Sequence, residues 1–228
     1  MWMLALACAF FLALHLMISA TSLKDRVIGR IGGPAYYILF SLLSLGGLIW
    51  MSVAFGVALG DPMNVVLWSS GPFLRVVGII GNFFAFLLVV IGYTSPSPTN
   101  LAALWRMPDH PVQGVIRITR HPVLAGVGLW ALTHIVCNGN LAAWIFFGSL
   151  LALCALGANT IDRKRAALMG EVYDKIKRRT SIVPFVAILE GRAAFDAKEL
   201  GVVRPLLAAS MFSVFLVLHE LIFTVRAI

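Results

Sequence analysis

Six long apolar stretches alternate with shorter polar stretches along this chain of 228 residues. Each is close to the roughly 20 residues that an α-helix needs to cross the hydrocarbon of a bilayer. The pattern therefore predicts an all-α, polytopic membrane protein, with about six transmembrane helices in a single domain over residues 1–228. The predicted spans cover residues 1–20, 35–59, 73–94, 121–138, 140–159 and 203–225.

The longest polar stretch lies between the fifth and sixth spans and is rich in basic residues. Its composition from Asp162 to Arg179 predicts a helix that lies in the interface of the cytoplasmic leaflet and attracts anionic lipid. The apolar segment 181–188 is too short to span a bilayer, so we expect it to enter the interface or to cap the bundle. The link at 138–140, Asn-Gly-Asn, predicts a tight antiparallel hairpin between the fourth and fifth spans.

Composition and charge support a membrane protein. With 60% hydrophobic and 12% charged residues, the chain has too few polar side chains to coat a water-soluble globule. A net charge of +8 would suggest nucleic acid in a soluble protein, but sixteen of the eighteen Lys and Arg residues follow the first, third and fifth spans. This asymmetry predicts cytoplasmic odd-numbered loops, with both termini on the periplasmic side. The predicted partner is therefore a lipid bilayer and not a nucleic acid.

Four of the five histidines lie within or at the edge of the apolar stretches. An ionisable side chain is costly in lipid, so His15, His134 and His219 are candidates for binding a buried metal or cofactor, with an interhelical hydrogen bond as the alternative. At 1.5 Å per residue, His15 lies roughly 9 Å from the cytoplasmic boundary, whereas His134 and His219 lie roughly 20 to 24 Å from it. Depth alone therefore pairs His134 with His219.

The most distinctive segment is residues 117–134, R-I-T-R-H-P-V-L-A-G-V-G-L-W-A-L-T-H. Pro122 suits the first turn of a helix, where its missing N–H costs nothing. Arg120 and His121 then stand at the basic edge of the fourth span. Inside that span, Gly126 lets another helix or a flat ligand come close.

With N-G-N at 138–140 and T-S-I-V-P-F-V-A-I-L-E-G-R at 180–192, this segment resembles the NnrU family of bacterial membrane proteins, and the likeness extends over nearly the whole chain. That family is associated with nitrite and nitric oxide reduction in denitrifying bacteria. It is also similar to zeta-carotene isomerase, a membrane enzyme that carries haem b between two histidines. The resemblance thus implies a haem cofactor.

The resemblance also implies which residues hold this haem b. By position, His15 and His134 correspond to the two iron ligands, and His219 is a further candidate for the cofactor site. Haem propionates need cations and hydrogen-bond donors. Arg120 and His121 stand at the basic edge where they would bind them.

Three functions follow from these likenesses. The first is a haem b protein of the bacterial inner (cytoplasmic) membrane that supports a nitric oxide or nitrite reductase system. The second is a redox-regulated, zeta-carotene isomerase-like enzyme with a hydrophobic polyene substrate. The third is an S-adenosylmethionine-dependent membrane methyltransferase, because Arg120-His121-Pro122 followed by Gly126 also resembles that class. The sequence assigns no catalytic residue.

Overall fold

A computed structural model describes residues 1–18, 21–99 and 111–223, and the all-α prediction is confirmed: this part of the chain contains no β-strand. Helix α1 continues directly into a π-helical turn over Leu14–Ile18. In chain order the helices are α1 Trp2–Ala13, α2 Leu23–Ile31, α3 Gly33–Leu59, α4 Pro72–Thr94, α5 Val115–Ile118, α6 Pro122–Asn138, α7 Leu141–Met169, α8 Glu171–Arg179, α9 Val186–Leu189 and α10 Val203–Phe223.

Four helices of the described part, α3, α4, α7 and α10, are long and apolar enough to cross a membrane. Helix α1 with its π-helical turn passes the same test only together with α2, and the two are bent by 81°. Helix α6 is apolar but shorter, with 17 residues. The predicted count of about six is therefore approximate: four helices qualify, or five with the bent pair, and α6 is the shorter sixth.

Contacts between loops bring the less basic segments to one end of the bundle. The ammonium group of Met1 pairs with the carboxylate of Asp61, in the link between α3 and α4. The same link binds the α6–α7 hairpin, because the backbone N–H of Leu67 donates to the carbonyl of Gly139 over 2.7 Å. Since the long helices alternate in direction, the basic segments lie at the opposite end, which we call the basic end.

The predicted α6–α7 hairpin is present, and its turn explains why glycine is needed there. Gly139 ends α6 with φ of +60°, a left-handed conformation that favours glycine. A Cβ at this position would also overlap the backbone carbonyl of Trp68. Asn140 then begins α7, because its side chain accepts a hydrogen bond from the N–H of Ala143 over 2.9 Å.

Small residues bring α4 and α6 into close contact, as predicted for Gly126. A Cβ built on Gly126 would lie 2.8 Å from the carbonyl oxygen of Ala85 and 2.9 Å from the backbone nitrogen of Val89. Further along, a Cβ on Gly81 would lie 2.6 Å from the hydroxyl of Thr133. The absence of a side chain at Gly126 and at Gly81 therefore allows α4 and α6 to lie this close together.

The basic segment departs from the predicted single interfacial helix. Helix α7 continues ten residues past the predicted end of the fifth span, and Gly170, with φ of +55°, separates it from α8. The segment 181–188 caps the bundle, as expected. Its Ser181 carbonyl accepts from the N–H of Arg120 over 2.8 Å, and the N–H of Phe185 donates to the carbonyl of Ile118 over 2.8 Å.

Candidate functional site

A buried polar network at the basic end is centred on the carboxylate of Asp162, on α7. Arg120 donates from Nε over 3.0 Å and from Nη2 over 2.6 Å. The adjacent His121 contacts the same carboxylate through Nε2 at 2.8 Å, and the hydroxyl of Tyr173, on α8, donates to it over 2.6 Å. One carboxylate therefore joins the start of α6 to both α7 and α8.

Each member of this network has a partner, although almost no water reaches it. Arg120 is 5% exposed and Asp162 is 7% exposed. The remaining Nη1 of Arg120 donates to the hydroxyl of Thr180 over 3.0 Å, and that hydroxyl donates to the carbonyl of Ile176 over 2.7 Å. Buried charges are tolerated when they are paired and hydrogen-bonded in this way.

The protonation of the network follows from its geometry. An ionised carboxylate only accepts hydrogen bonds, so the Nε2 of His121 that faces Asp162 carries a hydrogen. Burial, followed by the hydrogen bond to the Asp162 carboxylate, raises the pKa of the Tyr173 phenol well above its usual value. Tyr173 therefore remains a neutral donor at physiological pH.

The local sequence explains why Arg120 and His121 reach α7. Pro122 occupies the first turn of α6, so His121, with φ of −123°, is the capping residue and is not helical. The hydroxyl of Thr119 donates to the carbonyl of Ile182 over 2.7 Å. The backbone before α6 is thus held against the 181–188 cap.

A second ion pair lies closer to the surface of the same end. Arg117 donates from Nε and Nη2 to the two carboxylate oxygens of Glu199, each over 2.7 Å, and the N–H of Gly114 donates to the same carboxylate over 2.6 Å. These donors, the Arg117 hydrogen bonds first, lower the pKa of Glu199 below its usual value. The pair joins α5 to the turn before α10.

The depressed pKa of Glu199 makes a pH prediction. A lowered folded-state pKa adds stability above the usual glutamate pKa of about 4.3, and this stability is lost as the pH falls through the folded-state value. Glu199→Gln should therefore melt at a lower temperature than the wild type from pH 7 down to pH 5. We expect its free energy of unfolding to fall by about 1 kcal/mol, as for a partly buried bidentate pair. The difference should shrink below pH 4. Thermal melts in detergent at each pH, followed by tryptophan fluorescence, measure the stability of the wild type and of the variant.

Glu171→Gln is the matched control for this measurement. Glu171 pairs with Lys175 at 3.8 Å, and both side chains are mostly exposed, so this substitution should change the melting temperature less. A difference between wild type and Glu199→Gln that stays constant down to pH 3 would contradict the assignment.

The intramembrane histidines His15 and His134 have the same local arrangement. In each ring, Nδ1 lies 2.8 Å from the backbone carbonyl oxygen four residues earlier, that of Phe11 or of Trp130. Because a carbonyl only accepts, Nδ1 carries the hydrogen and Nε2 is the unprotonated nitrogen of the neutral ring. Each histidine also packs against the aromatic ring of that same residue, with centroids 4.3 Å apart for His15 and 4.8 Å for His134.

Aromatic side chains surround both rings. Phe147 of α7 stacks on His134, with ring centroids 4.7 Å apart and planes 27° apart. Phe40 of α3 meets His15 edge-on at 5.2 Å. Trp130 and Phe147 thus both lie at His134, and their rings also contact each other, whereas Trp50 packs on Phe10.

His15 and His134 lie at different depths in the bundle, and His219 is within electrostatic range of His134. Helices α1 and α7 run in the same direction, with Cys8 beside the carbonyl of Ile145. Counting along them places His15 about 7 Å nearer the basic end than His134. The pairing of His15 with His134 and the pairing by depth, His134 with His219, both stay predictions.

Arg120 and His121, predicted to bind a cofactor, are brought together by Asp162. Their role toward a cofactor stays a prediction, and their observed partners are protein groups. Asp162, Tyr173 and Thr180 were not predicted as site residues. A signal for Asp162 existed, since it is the acidic residue at the end of an apolar stretch that must meet the basic edge of its neighbour.

This chain is similar in sequence to known proteins over most of its length. The family described as NnrU protein matches residues 3–227. The chain is 34% identical over 175 residues to a protein named 15-cis-zeta-carotene isomerase, chloroplastic, from Arabidopsis thaliana, and 32% identical over 180 residues to one of the same name from Zea mays. Each alignment covers 75% of this chain and 46% of the relative, so the chain spans about half the length of these relatives. No solved structure matches.

Proposed function

Since this chain belongs to the NnrU family, we propose that it is a membrane protein that binds haem b through histidines inside its helical bundle. The observation that carries the proposal is the arrangement shared by His15 and His134, in which Nδ1 is held by a backbone carbonyl. A second hydrogen bond of this kind fixes the tautomer and the orientation of imidazoles that bind metals. It leaves Nε2 for the iron.

The donor set and its surroundings suit haem. Haem iron binds neutral imidazole, and the macrocycle needs an apolar and aromatic environment. Trp130 and Phe147 supply aromatic surface beside His134. We assign His134 as one ligand and regard His15 and His219 as the two candidates for the other. When bound, the haem would supply a redox-active iron, while the chain orients the imidazoles and excludes water.

The test is absorbance spectroscopy of protein purified in detergent from haem-replete cells. We expect a Soret band that shifts on reduction with dithionite and that is lost in His134→Ala. Of His15→Ala and His219→Ala, the variant that also loses or shifts the band identifies the second ligand. A pyridine haemochrome assay identifies the haem as type b.

The control is His110→Ala, which should leave the spectrum unchanged, because His110 belongs to a polar stretch of the sequence; it lies outside the described residues. The spectra are compared only among variants that melt at the wild-type temperature, so that loss of colour is separated from loss of fold. A wild-type preparation that is folded but colourless would contradict the proposal.

Isomerisation of a hydrophobic polyene is the first candidate activity. Relatives that bear the name of an isomerase align with three quarters of this chain, which is the observation in its favour. The polyene would enter from the bilayer. A change in polyene absorption during incubation with the reduced protein, absent with His134→Ala, is the expected result.

An accessory role in nitrite or nitric oxide reduction is the second candidate. It follows from the association of the NnrU family with those reactions. This role predicts no conversion of the polyene and a loss of nitrite or nitric oxide reduction in cells that lack the protein. Methyl transfer is less favoured, since its motif residues Arg120 and His121 are bound by Asp162.

The proposed location is the cytoplasmic membrane of a bacterium. Basic residues concentrate at one end of the bundle, and cytoplasmic loops carry the excess of Lys and Arg. The basic end would therefore face the cytoplasm, and both chain ends would face the periplasm.

A further inference from the structure

A groove of about 580 Å³ lies between the π-helical turn that follows α1 and the second half of α7, at the basic end. It does not include the Asp162 network or the intramembrane histidines. Its lining changes from apolar to cationic along its length. The residues that show this change are Leu16 of the π-helical turn after α1 and Leu156, Asn159, Thr160, Arg163 and Lys164 of α7.

The change occurs along one face of α7. Leu156, Thr160 and Lys164 are spaced four residues apart, so they follow one another on the same side of the helix. Over about 12 Å this face passes from an apolar side chain through a hydroxyl to a cation. Arg163 adds a second cation beside Thr160, to whose hydroxyl it lies 3.4 Å away. The groove thus presents an apolar half and a basic half.

Electrostatics favour an anion in the basic half. Lys24 of α2 acts on Lys164 as a like charge, and Asp25 acts on it as an opposite charge. Together with Arg163, these four side chains carry a net charge of +2. Like charges held together repel, and an anion between them relieves the repulsion.

We propose that this groove binds one anionic phospholipid of the bilayer, with the phosphate at Thr160, Arg163 and Lys164 and an acyl chain along Leu16 and Leu156. A free phosphate would use only the basic half, and an uncharged lipid only the apolar half. A phospholipid supplies both, in the order in which the groove presents them. The site is independent of haem binding.

The experiment is native mass spectrometry of the full-length protein with phosphatidylglycerol or phosphatidylcholine. We expect wild type to retain one phosphatidylglycerol in preference to phosphatidylcholine. Arg163→Gln with Lys164→Gln should weaken this binding about 30-fold, because each cation near a membrane surface contributes a factor of about five. Both side chains are exposed, so the double variant should keep the wild-type melting temperature.

Lys175→Gln with Lys177→Gln is the matched control, since it removes the same charge from α8. Equal weakening by this control would show general attraction of lipid to the basic end and would overturn the proposal. Leu156→Trp tests the apolar half: it should reduce retention of the lipid while leaving all charges in place, and unchanged retention would overturn the acyl-chain assignment. Displacement of the lipid by millimolar inorganic phosphate would also overturn the acyl-chain assignment.

Discussion

Replacing Asp162 with alanine is expected to lower the free energy of unfolding by about 3–5 kcal/mol, the usual cost of removing one partner from a buried ion pair. The carboxylate accepts from three side chains. Among the described residues, its loss leaves the buried guanidinium of Arg120 with Thr180 as its one side-chain partner. The start of α6 would also lose its connection to α8. Unfolding by SDS in mixed micelles, followed by circular dichroism, measures the change.

A graded series makes this expectation sharper. Tyr173→Phe removes one donor and should cost about 1 kcal/mol. Asp174→Ala removes an exposed carboxylate from the same region and should change stability by less than about 0.5 kcal/mol. Arg120→Met combined with Asp162→Leu should be more stable than Asp162→Leu alone, because it removes the unpaired cation. If Asp162→Ala is no more harmful than Asp174→Ala, the network does not support the fold.

The second large effect is expected for Gly126→Ala, which should destabilise the protein by about 1–3 kcal/mol. The added methyl group would meet the backbone of Ala85 and Val89 at less than 3 Å. Backbone atoms of a packed helix move only if the whole helix moves, so α4 and α6 would have to separate. The same SDS titration measures the loss.

Gly148→Ala is the matched control for this prediction. Gly148 is also helical, in α7, and a Cβ there meets nothing within 4 Å. Alanine has the higher helix propensity, so this variant should be as stable as wild type or slightly more stable. Equal stability of the two variants would mean that α4 and α6 tolerate a wider separation than the structure shows.

The positions of most helices follow from hydropathy, because lipid selects long apolar runs. The predicted span 73–94 differs by one residue from α4, Pro72–Thr94, and the predicted span 203–225 begins at the same residue as α10, Val203. The end of α7 differs by ten residues for a physical reason. Hydropathy marks where lipid ends, whereas the residues after 159 include Arg, Lys, Ala, Leu and Met, which favour helix in water as well. Helix α7 therefore continues beyond the apolar stretch.

The candidate site was predictable only in part. The cost of histidine in lipid drew attention to His15, His134 and His219, and their role as ligands stays a prediction. The Asp162 network depends on contacts between residues 41 and 42 positions apart in the chain. Such pairings are set by how helices pack, and no local pattern of residues specifies them.

The π-helical turn at Leu14–Ile18 has a consequence for how His15 is aimed. A π turn amounts to one residue more than an α-helix needs, and such turns are frequent at functional sites. Deleting a single leucine before His15 would rotate the imidazole by about 100° around the helix axis while hardly altering hydropathy. The direction of the imidazole thus depends on the number of residues that precede it. Removing one residue would turn the ring from the bundle interior toward the acyl chains.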